Sequence, residues 1–203
     1  MDRAPVIGIC RLRINTDGRG ITTLVAFHSC PLKCKYCINP RSLVDGDYIT
    51  YLSAKEIMNI LRKDELYFLA TKGGVTFGGG EPLLWVEFIK EILDLGAKEW
   101  HVTIETSLNV QRCKLELLLS YIDEYIVDIK DMNPIIYKNY TSKDNSLVID
   151  NLNWLVSQGR SNNIICRIPL IEGYNTEEDR LVSREKLLSM GIKRFDLFSY
   201  KYQ

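Results

Sequence analysis

Apolar residues along this chain change rhythm repeatedly, and the changes predict β-strands separated by amphipathic helices. Runs rich in β-branched and aromatic residues predict strands at Ile21 to His28, Gly74 to Phe77, His101 to Thr106, Tyr125 to Ile129, Ile164 to Leu170 and Phe195 to Ser199. Between them, apolar positions recur at the spacing that gives a helix one buried face. Helices are predicted over Ala54 to Arg62, Leu84 to Leu95, Lys114 to Tyr121, Ser146 to Ser157 and Thr176 to Met190. Ser53 and Glu56 form a capping box at the start of the first. Gly96, Gly159 and Gly191 mark stops, because glycine tolerates the left-handed conformation in which helices commonly end.

This alternation of strand and helix is the signature of parallel βα units. Six units are too few to close an eight-stranded barrel. The expected fold is therefore α/β, a partial (βα)6 barrel of the TIM type, with functional groups at the carboxyl ends of the strands. No repeat, linker or low-complexity stretch divides the chain, and a single domain over residues 1–203 is expected.

Composition narrows the function classes. With 203 residues, 46% of them apolar, the chain can bury one sizeable core. Its 26 basic and 26 acidic residues cancel, and neither sign forms a run, so neither nucleic acid nor an anionic membrane surface is expected as a partner. Met1 to Gly8 lacks a basic segment leading into an apolar stretch, and no apolar run is long enough to span a bilayer. A soluble, cytoplasmic protein is expected.

The cysteines change the picture more than the charges do. Cys10, Cys113 and Cys166 stand among apolar neighbours, where free cysteine acts as a small buried hydrophobe. Cys30, Cys34 and Cys37 crowd instead into the segment His28-Ser-Cys-Pro-Leu-Lys-Cys-Lys-Tyr-Cys-Ile-Asn-Pro40, a C-x-x-x-C-x-x-C pattern just after the first predicted strand. Soft sulfur ligands select zinc or iron–sulfur clusters. A structural zinc site normally takes four protein ligands, and only His28 and His101 could add to these three. Three thiolates on a cubane cluster leave one iron open to a small molecule. The reading from a different class is a non-catalytic zinc-binding interaction module.

A second motif, Gly73-Gly-Val-Thr-Phe-Gly-Gly-Gly-Glu-Pro82, runs a strand into consecutive glycines and an acid. Without side chains, that backbone can approach a ligand closely. The plainer alternative is an ordinary tight turn.

The cysteine spacing, with Tyr36 before the third cysteine, resembles the radical S-adenosylmethionine (SAM) superfamily. The resemblance implies a [4Fe-4S] cluster on Cys30, Cys34 and Cys37, with SAM chelating the open iron. It implies that Tyr36 packs near the adenine and that Gly79, Gly80 and Glu81 hold the methionyl amino group. It also implies reductive cleavage of SAM to methionine and a 5′-deoxyadenosyl radical.

Over nearly the whole chain, the sequence is similar to one branch, the activating enzymes of glycyl radical enzymes. Asp17-Gly-Arg-Gly20, Cys-Pro-Leu-Lys-Cys, Gly-Gly-Val-Thr-Phe, Asp128-Ile-Lys-Asp-Met-Asn133 and Gly173-Tyr-Asn175 carry that similarity. It implies hydrogen abstraction from a glycine of a partner glycyl radical enzyme, with a flavodoxin or ferredoxin-type reductant. Six βα units with no extension would leave the mouth uncovered, which suits a protein loop as substrate. Lys130 and Arg167 match contacts to the cofactor, and Lys201 stands near the position of a family histidine. Glu105, Thr106 and Asp128 match a site for a monovalent cation, sodium or potassium, and Asp17 is a candidate substrate contact.

Three departures from the family stand out. The histidine is missing, the third strand ends in Glu105-Thr-Ser-Leu-Asn109 instead of Asp-Thr-Asn-Gly, and residues 41–72 contain no additional cysteines. One cluster is therefore expected. The rivals within the superfamily are a 7-carboxy-7-deazaguanine synthase, which Glu105-Thr106 favours and Ile38-Asn39 disfavours, and a peptide-modifying enzyme.

Overall fold

The structure is a computed structural model that describes residues 2–14 and 16–199. The chain falls into two compact units. One comprises the chain up to Cys30, Ile38–Thr106 and Gln111–Tyr125; the other comprises Pro31–Cys37, Ser107–Val110 and the chain from Ile126 onward.

The first unit contains β1 (Ala4–Ile14), β2 (Ile21–Phe27), β3 (Thr50–Leu52), β4 (Gly74–Gly79) and β5 (His101–Thr106), with α1 (Ala54–Leu61), α2 (Glu65–Thr71), α3 (Val86–Asp94) and α4 (Arg112–Leu118). Its strands are hydrogen-bonded in the order β3-β1-β2-β4-β5. The pairs β2–β4 and β4–β5 are parallel, whereas β1 runs antiparallel to both β2 and β3. Val25, Phe27, Val75, Phe77, Val102 and Ile104 alternate along β2, β4 and β5 and are buried, as are Ile57, Leu61, Ile89 and Ile92 on α1 and α3. The Phe88 ring of α3 meets Phe27 edge-on, with centroids 6.2 Å apart. The capping box at Ser53 forms on both sides: Glu56 N–H donates to Ser53 Oγ at 3.3 Å, and Ser53 N–H to Glu56 Oε2 at 2.8 Å.

The second unit holds most of β6 (Glu124–Asp128), then α5 (Pro134–Thr141), α6 (Ser146–Ser157), β7 (Ile164–Leu170), α7 (Glu177–Ser189) and β8 (Arg194–Ser199). β7 pairs with β8 in parallel register from Ile165↔Arg194 to Leu170↔Ser199. Val127, Ile168, Leu152, Leu155 and Leu187 bury its sheet against its helices.

All six predicted strands are present, and the α/β class holds. Two strands escaped prediction. β1 breaks its alternation with irregularities between Val6 and Gly8 and between Cys10 and Arg13, and a strand interrupted by bulges loses its period-two signal. β3 spans three residues, below what periodicity can register. Among the scattered cysteines, Cys166 is buried as expected, but Cys10 and Cys113 are exposed. Cys10 lies in the exposed half of β1, and Cys113, flanked by Arg112 and Lys114, is exposed on α4, so the expectation of burial fails for both.

Candidate active site

The route to Cys30 begins where β2 ends. His28 N–H donates to Pro5 O at 3.0 Å, and Trp85 Nε1 donates to His28 O at 2.9 Å. Ser29 then adopts a left-handed backbone with φ of 78°, its N–H bound to Ser42 O at 2.8 Å and its carbonyl accepting from Glu81 N–H at 2.8 Å. A non-glycine residue in that region is strained and persists only where its surroundings fix it. Here the fixing comes from the turn after β4. Gly80 N–H donates to Phe27 O at 2.9 Å, and a Cβ at Gly80 would lie 2.1 Å from Ser29 O. Gly79 takes φ of +100°, and its carbonyl accepts from Asn39 Nδ2 at 3.0 Å. Gly80 is required by the close approach of Ser29, the residue preceding Cys30, and Gly79 by its positive φ and by Phe27, whose backbone N an added Cβ would meet at 2.7 Å.

Glu81 is fully buried. Its Oε1 accepts from Leu83 N–H at 3.2 Å and from Thr106 Oγ at 2.6 Å. The acid therefore braces the turn. Glu105 is half-buried beside Gly78, where an added Cβ would lie 3.1 Å from Glu105 Oε2. Asp17 is 1% exposed. Its carboxylate lies 2.6 Å from Arg13 Nε and accepts from Thr16 and Thr22 hydroxyls at 2.8 and 3.1 Å. Burial opposes the Arg13 charge, yet Asp17 and the charge of Glu105 hold Arg13 above its usual range. Asp17, the candidate substrate contact, is thus tied to Arg13, Thr16 and Thr22.

In the second unit, Cys34 and Cys37 lie on a loop anchored by buried Leu32. Lys33 N–H donates to Thr141 O at 2.9 Å and Lys35 N–H to Tyr140 O at 3.1 Å. Burial pushes the Cys34 thiol up to about 11, against the opposing charge of Lys130. Lys130 is 7% exposed, with its Nζ 3.0 Å from Asp128 Oδ2. Arg167 Nε lies 3.3 Å from Asp196 Oδ2. Of the groups expected to hold a cation, Thr106 donates to Glu81 and Asp128 accepts from Lys130. Lys201 lies outside the described residues.

Sequence reasoning passed over the polar groups that hold these loops. Asp131 is 2% exposed and accepts from Asn133 N–H at 2.8 Å, Asn175 Nδ2 at 3.2 Å and Ser183 Oγ at 3.3 Å. It therefore joins the loops that follow β6 and β7 to α7. A buried acid in a loop has no periodic signature, so only its place in the Asp-Met-Asn segment hinted at it.

The donor set fits an iron–sulfur cluster. Cys30, Cys34 and Cys37 are half-buried cysteines outside any disulfide, on short, hydrogen-bonded loops. Among the described residues, no three His, Cys, Asp or Glu side chains are gathered to hold one metal ion. In a cubane each thiolate binds its own iron, so the three need not share an ion.

Comparison with known proteins agrees with the motif. The family model described as the radical SAM superfamily matches residues 24–184. The (2S)-3-sulfopropanediol dehydratase activating enzyme of Klebsiella oxytoca is 30% identical, over 87% of this chain and 75% of its own. The pyruvate formate-lyase 2-activating enzyme of Escherichia coli is 29% identical, over 98% of this chain and 78% of its own. That alignment runs over 231 positions, more than the 203 residues here, so the relative carries residues that this chain lacks. Among solved structures, Streptococcus suis SuiB bound to its precursor peptide SuiA superposes with a TM-score of 0.67 at 20% identity, over 88% of this chain. This chain spans only 38% of that protein's length, and the likeness shows the fold, the superfamily's partial barrel. The superfamily uses a [4Fe-4S] cluster and SAM. The chain belongs to the radical SAM superfamily, in the branch of its glycyl radical enzyme activating enzymes.

Proposed function

We propose that this protein activates a glycyl radical enzyme by abstracting a hydrogen atom from the Cα of one glycine in that partner. The observation that carries the reading is the bond from Glu81 N–H to Ser29 O, which makes the glycine turn and the start of the cysteine loop one element. Similarity to activating enzymes over most of the chain supports the choice of branch over a deazaguanine synthase or a peptide-modifying enzyme. When bound, a reduced cluster supplies the electron that cleaves SAM to methionine and a 5′-deoxyadenosyl radical.

The roles of the chain's own residues follow. Cys30, Cys34 and Cys37 are the cluster ligands. The backbone of Gly79 and Gly80 takes the methionyl amino group, since the Glu81 carboxylate is already bound to Thr106 and Leu83. Lys130 and Arg167 meet the carboxylate end of SAM, and Tyr36 meets the adenine. The substrate is a protein loop, and the electron comes from a flavodoxin or ferredoxin-type donor.

The test is anaerobic incubation of the reconstituted, reduced protein with SAM and a glycyl radical enzyme encoded near it. A protein-centred doublet in electron paramagnetic resonance is expected on the partner. No doublet, together with turnover of a small pterin or a peptide precursor, would contradict the assignment to this branch.

A further inference from the structure

We infer that Tyr140 and Tyr174 are positioning residues that set the shape of the Cys34–Cys37 loop and the attitude of the Tyr36 ring. The inference rests on the proposed use of SAM, and it names how that site is shaped. The loop from Pro31 to Cys37 has no regular structure of its own, so its backbone groups need outside partners. The last turn of a helix has the opposite need, because its final carbonyls lack amide donors within the helix.

α5 meets both needs. It stops at Ser142, whose φ is 63° and whose N–H closes on Lys138 O at 2.8 Å. The carbonyls of Tyr140 and Thr141 then accept from Lys35 and Lys33 N–H, the two amides that flank Cys34. The Tyr140 side chain adds a third tie, because its phenol donates to Tyr36 O at 3.1 Å, immediately before Cys37. Tyr140 is fully buried, so this phenol is placed by packing and cannot swing away.

The rings complete the arrangement. Tyr36 and Tyr140 lie 6.2 Å apart at 54°, Tyr36 and Tyr174 meet edge-to-face at 5.7 Å, and Tyr140 and Tyr174 at 5.1 Å. Tyr174 is held in turn by its own loop, where Tyr174 N–H donates to Ile171 O at 3.0 Å and Asn175 Oδ1 accepts from Ile171 N–H at 2.6 Å. Tyr36 keeps 38% of its surface open. A ring fixed by two neighbours and open elsewhere is preorganised to receive a flat ligand, at less entropic cost than a free ring. Aromatic pairs of this geometry add stabilisation beyond the area they bury.

Tyr140→Phe removes the phenol and keeps the ring; Tyr174→Leu removes the second ring from outside the helix. In the metal-free protein, amide hydrogen exchange over residues 31–37 is expected to quicken about fivefold in Tyr140→Phe, as loss of one hydrogen bond implies. Exchange in β7 and α6 stays unchanged. In the reconstituted enzyme, both variants raise KM for SAM several-fold while kcat stays within about twofold, the pattern of lost cofactor binding. Unchanged loop exchange in Tyr140→Phe, or a lower kcat with KM unchanged in both variants, overturns the inference. Absence of SAM cleavage by the parent protein would instead sink the proposed function, and the exchange comparison would still decide the role of Tyr140 in the loop.

Discussion

Thr106 Oγ donates to Glu81 Oε1 at 2.6 Å, and both residues are buried. β5 thereby steadies the glycine turn, whose next contact is the residue before Cys30. Thr106→Val keeps the side-chain shape and removes the donor. A buried acceptor left short of a partner costs about 1–3 kcal/mol, which thermal unfolding of the metal-free protein should register as a lower Tm. An unchanged Tm would mean that the carboxylate needs no brace.

Gly80→Ala places a Cβ where Ser29 O stands, at 2.1 Å, and backbone atoms cannot yield as a flexible side chain can. The Cys30 loop should shift and iron retention after anaerobic reconstitution should fall by about half or more, since buried strain of this kind costs on the order of 1–3 kcal/mol. Gly8→Ala is the matched control, because its Cβ would meet nothing within 4 Å. Equal iron and sulfide content in the two variants would contradict the coupling of glycine turn and cysteine loop.

The raised Cys34 thiol gives a pH signature. The thiolate is the nucleophile, so alkylation of Cys34 in the metal-free protein should climb about tenfold per pH unit until it levels near the raised value of about 11. Mass spectrometry of the alkylated peptide follows it. A plateau at the ordinary thiol value would show that burial does not act on this side chain.

Asp131 has a different signature. Burial raises its pKa, against the hydrogen bonds from Asn133, Asn175 and Ser183. The unfolded chain releases this proton at the ordinary aspartate value of about 3.9, while the folded protein holds it to higher pH. Stability from this group is therefore present at low pH and lost as pH rises from the ordinary value through the raised one. Asp131→Asn should flatten that slope in thermal unfolding, and a slope as steep as the parent's would refute the assignment.

Much of this was legible in the sequence because it rests on period and spacing. The alternation at Val25 and Phe27 fixed one strand face, and Ser53 with Glu56 announced α1. The three-cysteine spacing pointed to the chemistry without any fold. β1 was hidden by its bulges, and α5 by its lack of a clean apolar face, since it buries Tyr137, Tyr140 and Thr141 and leaves Ile135 exposed, although Asn133 followed by Pro134 is a helix-start signal. The ties of Tyr140 depend on a partner distant in sequence, Tyr36, which no local pattern encodes; Asp17 binds its near neighbours Arg13, Thr16 and Thr22, but no spacing announces that it is buried among them.

In the proposed function, Cys30, Cys34 and Cys37 hold the cluster that cleaves SAM. The most direct measurement is chromatographic detection of 5′-deoxyadenosine after the reconstituted protein is reduced in the presence of SAM, alongside iron and sulfide analysis. 5′-Deoxyadenosine is expected from the parent protein, with loss of both cluster and product in Cys34→Ala. An iron-loaded, fully active Cys34→Ala protein, or a parent protein that binds zinc and yields no 5′-deoxyadenosine, would contradict that function.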